Sequence, residues 1–178
     1  MSNRLKVCLM GSNQAGVVGA LTILSKGHSI IAAVGYSEDF CKLLSLLEIP
    51  LYESITNNDF IDKLSVADVL FSVHGKEIVK LDLLRLPKLG CVNLHPYLYK
   101  YKGANPVGRA FQDKEFKASV GAHIMEEAID EGKVLVEEFI DVSGANSCDE
   151  IYNKLYPIYS MVMLKVLDNL KGDYIKGG

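Results

Sequence analysis

The stretch LKVCLMGSNQAGVVGALTILSKG, residues 5–27, decides the fold. Leu5 to Met10 is a short apolar run that stops at Gly11. Beyond the Gly-Ser-Asn-Gln-Ala-Gly turn the apolar positions take on helical spacing through Leu24, and Gly27 closes the segment. The apolar run is only about six residues long, too short for a secretion signal or a membrane span, so it reads as a buried strand. Strand, turn and helix in that order open an α/β fold.

The alternation continues along the chain. Strands are predicted over Ser29–Gly35, Pro50–Tyr52, Asp68–Val73 and Cys91–Leu94, with helices over Glu38–Leu47 and Asn58–Leu64 between them. Continuous apolar strands separated by helices predict a mostly parallel sheet covered on both faces, a Rossmann-like three-layer α/β sandwich. After Pro96 the period is lost in YLYKYKGANP, which reads as a large loop. A helix over Asn105–Gln112 and two strands over Ala118–Met125 and Lys133–Val142 are predicted next, the strands joined by EEAIDEG. Ser147 and Glu150 form a capping box for a last helix with Ile151, Leu155, Ile158, Val162 and Val166 on its apolar face. Pro157 predicts a kink or irregular turn there, and the terminal Lys-Gly-Gly a frayed tail.

Residues 1–178 are expected to form one domain, with 49% hydrophobic and 23% charged residues, ordinary for a globular chain. The formal charge of -3, with no run of Lys or Arg longer than two, speaks against nucleic acid and membrane surfaces as partners. Cys8, Cys41, Cys91 and Cys148 lie far apart, without zinc-ligand spacing. A cytoplasmic, metal-free protein with free thiols is the simplest reading, and the apolar last helix offers a surface for a homodimer.

Parallel sheets place ligands outside the carboxyl ends of their strands, and the unusual polar residues collect there. Asn93 and His95 alternate with Val92 and Leu94 at the end of a strand, so both side chains point to one side of it. Pro96 then requires the chain to leave the sheet. Alone, such a pair also suits a hydrogen-bonded loop anchor, and Asp130 before Glu131-Gly132 also suits a turn. Asp130 follows one apolar strand and precedes another, which returns it to the same rim. Of the remaining histidines, His74 beside Gly75 reads as a turn residue or a cavity wall, His28 as solvated and His123 as packed behind the site. The Gly11–Gly16 turn offers backbone N–H groups to an anion or is simply tight. It lacks the Lys and Ser or Thr of a phosphate loop, and its Gly spacing disfavours a dinucleotide-binding dehydrogenase.

Two segments, VNLHPYLYKYKGANP at 92–106 and AHIMEEAIDEG at 122–132, resemble the folate-dependent formyltransferase family. The first is similar to its Asn-x-His loop and the second to its His-to-Asp loop. The resemblance spans roughly residues 5–170, with Tyr97-Leu98-Tyr99 standing where the family usually has Leu-Leu-Pro. It implies the formyltransferase fold and 10-formyltetrahydrofolate as formyl donor. It implies further that Asn93 holds the formyl oxygen, that His95 stabilises the oxyanion, and that Asp130 orients His95 and helps to remove the amine proton. The folate would lie between Lys76, Ile78 and Val79 on one side and Met125, Glu126 and Ile129 on the other, although the apolar members equally suit a core. Gly11, Ser12, Asn13 and Gly103 are the implied substrate-binding residues.

The chemistry needs these residue types. An amine attacks the formyl carbon, negative charge grows on the oxygen, and the amine must lose a proton; no Ser or Cys nucleophile is required. The resemblance implies a second domain in members acting on tRNA, whereas this acidic chain is expected to hold the catalytic domain alone. The stretches Gly103–Pro106 and Ala118–Gly121 are more similar to the sugar-nucleotide branch. The expected acceptor is therefore the small-molecule amine of an amino-sugar nucleotide, with glycinamide ribonucleotide as the alternative. A folate- or nucleotide-binding domain without turnover is a second alternative.

Overall fold

The computed structural model describes residues 4–170; the Lys-Gly-Gly tail lies outside them. Its centre is a seven-stranded sheet in the order β3-β2-β1-β4-β5-β6-β7. The strands are β1 (Lys6–Gly11), β2 (Ser29–Gly35), β3 (Leu51–Tyr52), β4 (Val69–Val73), β5 (Cys91–Pro96), β6 (Lys117–Ile124) and β7 (Val134–Asp141). The first five pair in parallel, and β6 and β7 add an antiparallel edge. The sequence-based strands and helices fall on these elements with small shifts at their ends.

Alternation along each strand divides the apolar residues between two layers. From β1, Val7 and Leu9 join one core with Ala20 and Ile23 of α1 (Asn13–Ser25), Phe40 and Leu44 of α2 (Glu38–Leu46), Val107 of α5 (Pro106–Gln112) and Tyr159 and Val162 of α6 (Cys148–Asn169). Cys8 and Met10 face the opposite core, with Phe60 and Leu64 of α3 (Asn58–Ser65) and Leu83 of α4 (Leu81–Leu84). At four residues, α4 is too short to show a helical period, and the sequence does not reveal it. Gly27, at φ 78, turns the chain from α1 straight into β2, a left-handed conformation that suits glycine.

Four expectations change. His28 is buried, not solvated: its Nδ1 accepts from the Leu5 backbone N–H at 3.2 Å, because the tight turn at Gly27 folds it onto the start of β1. Pro96 ends β5 inside the sheet, opposite Val120 of β6, so the chain leaves one residue later than expected. A terminal strand position tolerates the missing N–H. The last helix runs without interruption through Pro157, which sits on its exposed side, where water can satisfy the carbonyl left without a donor. The apolar face of that helix is spent inside the protein: Ile151, Leu155, Ile158, Val162 and Val166 are all buried in the core, so they offer no dimer surface.

Candidate active site

The chain crosses from β1 to β2 and β3 on one side and from β4 to β5 on the other, so the carboxyl ends of β1 and β4 flank a switch point. A cavity of about 550 Å³ is lined by residues that follow these two strands, together with β5 and the connection between β6 and β7. Ser12 and Asn13 come from the turn after β1, and the Ser12 N–H donates to the Val73 carbonyl at 3.2 Å, tying that turn to the end of β4. Gly11, grouped with them from the sequence, does not line the cavity. It lies beneath the Phe40 ring, where a β-carbon would come within 2.5 Å of Cζ. Gly103 does line it.

Asn93, His95 and Asp130 meet at this cavity. Pairing fixes the first two: Asn93 sits opposite His123 of β6, and His95 opposite Gly121. Asp130, buried and at φ 55, is delivered by the loop between β6 and β7. Its Oδ2 accepts from the Gly103 N–H at 2.7 Å and lies 3.2 Å from His95 Nε2. Its Oδ1 lies 3.4 Å from Asn93 Nδ2 and 3.2 Å from His123 Nε2. Both carboxylate oxygens are thus engaged.

Neighbouring acceptors assign the His95 protons. Nε2 faces two acceptors, Asp130 and, at 3.0 Å, the Gly103 carbonyl, so it carries the ring hydrogen. Nδ1 is buried without a hydrogen-bond partner among the described residues. His123 gives its Nδ1 hydrogen to the Ile124 carbonyl at 2.9 Å. Its Nε2 lies 3.2 Å from the Asn93 amide nitrogen: the neutral ring accepts there, and an added proton would go to Asp130 instead. His123 therefore stands directly behind the pair, not merely packed nearby.

Burial alone would raise the Asp130 pKa, but a hydrogen bond from the protonated His123 ring, the charge of a protonated His95 and the Gly103 N–H outweigh it and hold the carboxyl at about 2. A folded-state pKa below the ordinary value near about 4 means that ionised Asp130 stabilises the fold above that pH and loses this contribution as pH falls through about 2. Urea unfolding of wild type and Asp130→Asn should show the stability advantage of wild type shrinking over that interval. A difference that stays constant through it would contradict the assignment.

Lys76, Ile78 and Val79 follow β4 on one lip, and Met125, Glu126 and Ile129 face them from the connection after β6. Ile78 and Ile129 are 68% and 56% exposed, which leaves apolar surface at the mouth for a ligand to cover. The first lip is held by Glu77, whose carboxylate accepts from Tyr36 Oη at 2.8 Å and Ser54 Oγ at 2.6 Å. The loop after Pro96 is likewise anchored. Tyr97, Leu98 and Tyr101 are buried, and the Tyr97, Tyr99 and Tyr101 hydroxyls donate to Glu115 O, Lys117 O and Asp113 Oδ2. Sequence reading gives His74 only as a possible wall and does not find Tyr152, yet both line the cavity. The position of His74 just past a parallel strand was the available signal; Tyr152 carried none.

Asn93, His95 and ionised Asp130 thus gather at one cavity at the carboxyl edge of an α/β sheet, and groups of these types are suited to acid–base chemistry. Residues 52–167 match the family model described as formyl transferase, and the chain belongs to that family. The bifunctional polymyxin resistance protein ArnA of Wigglesworthia glossinidia brevipalpis is 28% identical over 92% of this chain and 27% of its own length. The methionyl-tRNA formyltransferase of Ehrlichia canis (strain Jake) is 33% identical over 58% of this chain and 34% of its own. The chain thus spans about a third or less of these two relatives. The crystal structure of phosphoribosylglycinamide formyltransferase from Bacillus halodurans aligns with a TM-score of 0.77 at 17% identity, covering 96% of this chain and 100% of that one, a likeness of fold. Among the described residues no helix is long and apolar enough to cross a membrane.

Proposed function

We propose that the protein transfers a formyl group from 10-formyltetrahydrofolate to the primary amine of a small molecule, an amino-sugar nucleotide before glycinamide ribonucleotide. The observation that carries the proposal is the meeting of Asn93, His95 and ionised Asp130 at one cavity, with His95 Nδ1 left without a hydrogen-bond partner among the described residues. The folate suits the two apolar lips: Ile78 and Val79 face Met125 and Ile129, with Lys76 and Glu126 beside them, and the volume is that of a small-molecule site. When bound there, it supplies the formyl carbon.

The chain's own groups divide the remaining work. Asn93 Nδ2 shares one hydrogen between His123 Nε2 and Asp130 Oδ1, which lie 3.2 Å apart, and gives its other hydrogen to the formyl oxygen as negative charge grows on it; such a donor is worth about 3 kcal/mol, roughly 100-fold in rate. His95 Nδ1 takes the proton that the attacking amine must lose, steadies the oxyanion as the donor it has then become, and returns the proton to the departing nitrogen. Asp130 holds the ring through Nε2 and stabilises its positive charge, as a carboxylate does behind a catalytic histidine. With both oxygens already occupied, Asp130 orients His95 and leaves removal of the amine proton to the ring. Ser12 Oγ, buried at the amino end of α1 with no hydrogen-bond partner among the described residues, supports an oxygen-rich or phosphorylated acceptor, held by Ser12 and Asn13 of the turn after β1 and by Gly103.

The test is incubation with 10-formyltetrahydrofolate and a panel of amino-sugar nucleotides, glycinamide ribonucleotide and methionyl-tRNA, with N-formyl products identified by mass spectrometry. An N-formylated amino-sugar nucleotide is expected. Formylation of the tRNA alone would overturn the acceptor class, and release of formate with no formylated amine would overturn transfer itself.

A further inference from the structure

His74 is the first residue beyond β4, at the switch point, and its backbone is left-handed, at φ 61. A histidine held this way is over-determined by its surroundings, and its surroundings are specific. The ring meets Tyr152 and Tyr159 of α6 edge-on, with centroids 5.6 and 5.4 Å away. Tyr159 is wholly buried, and among the described residues its hydroxyl has one hydrogen-bond partner, His74 Nε2 at 2.6 Å.

That contact fixes the proton. A phenol has a single hydrogen to give, and a buried O–H without an acceptor is costly, so Tyr159 donates and Nε2 accepts. The ring hydrogen of His74 is thereby placed on Nδ1, which makes no hydrogen bond to any other described residue. Burial, with a smaller contribution from His95, lowers the His74 pKa to about 4, so the ring is uncharged near neutrality. The same cavity is lined by Tyr152 and by Ser12, whose buried hydroxyl has no hydrogen-bond partner among the described residues.

We infer that His74 is an acceptor-recognition residue, whose Nδ1–H is held by Tyr159 as a fixed, uncharged donor to an oxygen of the amine substrate, a sugar hydroxyl or a phosphate oxygen. It works beside Ser12, whose backbone N–H donates to the carbonyl of Val73, the residue before His74. The inference rests on the formyl-transfer reading for the identity of the substrate, but not for the state of the ring.

Nitrogen-15 NMR of the full chain tests the ring first. His74 is expected as the neutral Nδ1–H tautomer, reverting to a mixture in Tyr159→Phe. Inorganic phosphate and D-glucosamine then serve as probes: a response of the Nδ1 signal to phosphate alone assigns a phosphate oxygen, and to glucosamine alone a hydroxyl. The Nε2–H tautomer in wild type, or no response to either probe, overturns the inference whether or not formyl transfer is found. With an acceptor in hand, His74→Gly, which relieves the left-handed backbone, should raise the acceptor KM about 10-fold while leaving that for 10-formyltetrahydrofolate unchanged. His74→Asn, which tolerates the same conformation and restores an N–H donor, should recover most of the loss. An equal rise in both KM values, or no recovery with Asn, overturns it. If no amine is turned over, the formyl-transfer reading fails while the NMR result stands on its own.

Discussion

Asp130→Asn is expected to lower kcat by about 1,000-fold or more while leaving folate affinity nearly unchanged. Asparagine keeps the shape but not the charge. Oδ2 of the native carboxylate faces the Gly103 N–H and His95 Nε2, and Oδ1 faces Asn93 Nδ2. An amide has one oxygen and one NH₂, so whichever way it turns, a donor meets a donor on one side. If the amide nitrogen faces His95, the ring keeps only the Gly103 carbonyl as acceptor and meets a donor where the carboxylate stood, which weakens the hold on the tautomer that leaves Nδ1 free. If the oxygen faces His95, the ring is oriented but its positive charge goes unsupported when the amine proton arrives. Stopped-assay kinetics with calorimetric folate binding check this, and a loss below about 10-fold would show that Asp130 is only a loop anchor.

Gly132→Ala should be nearly as damaging, without touching a reacting group. A β-carbon at Gly132 would stand 1.9 Å from the Ile124 carbonyl oxygen, a backbone atom with little freedom to move. That same oxygen accepts from His123 Nδ1, and the Ile124 N–H donates to the Lys133 carbonyl. Relieving the clash must shift the loop that carries Asp130 or break the support behind Asn93. Overpacking of this kind costs about 2 kcal/mol, roughly 4–8 °C in Tm for a chain of this size. Because Asp130 lies two residues upstream, kcat/KM should fall about 100-fold as well, in line with sub-ångström demands on catalytic geometry. Activity within about threefold of wild type in a folded variant would mean that the loop adjusts freely.

Much of the sheet was legible because parallel strands buried on both faces are uninterrupted apolar runs, and β1, β2 and β4 are such runs. The common orientation of Asn93 and His95 followed from strand alternation alone. What escaped depends on partners distant in sequence. His28 looked exposed beside Gly27 because the backbone donor that it serves belongs to Leu5. His74 looked like a turn residue because the hydroxyl that fixes its ring lies 85 residues away, at Tyr159. The segment after Pro96 read only as a large loop because its anchors are tyrosine hydroxyls bonded across to Asp113 and Glu115 after α5 and to Lys117 at the start of β6, contacts that leave no periodic trace. Gly132 could be read as half of a turn, but not as the residue that lets the Asp130 loop lie against β6.

The most direct measurement of the central claim is amine-dependent release of tetrahydrofolate from 10-formyltetrahydrofolate, followed by absorbance, for wild type and His95→Ala side by side. Turnover that requires the amine in wild type, and falls about 100-fold or more in His95→Ala with folate binding retained, is the predicted result. Equal turnover in the two proteins, or release that ignores the amine, would contradict formyl transfer at this site.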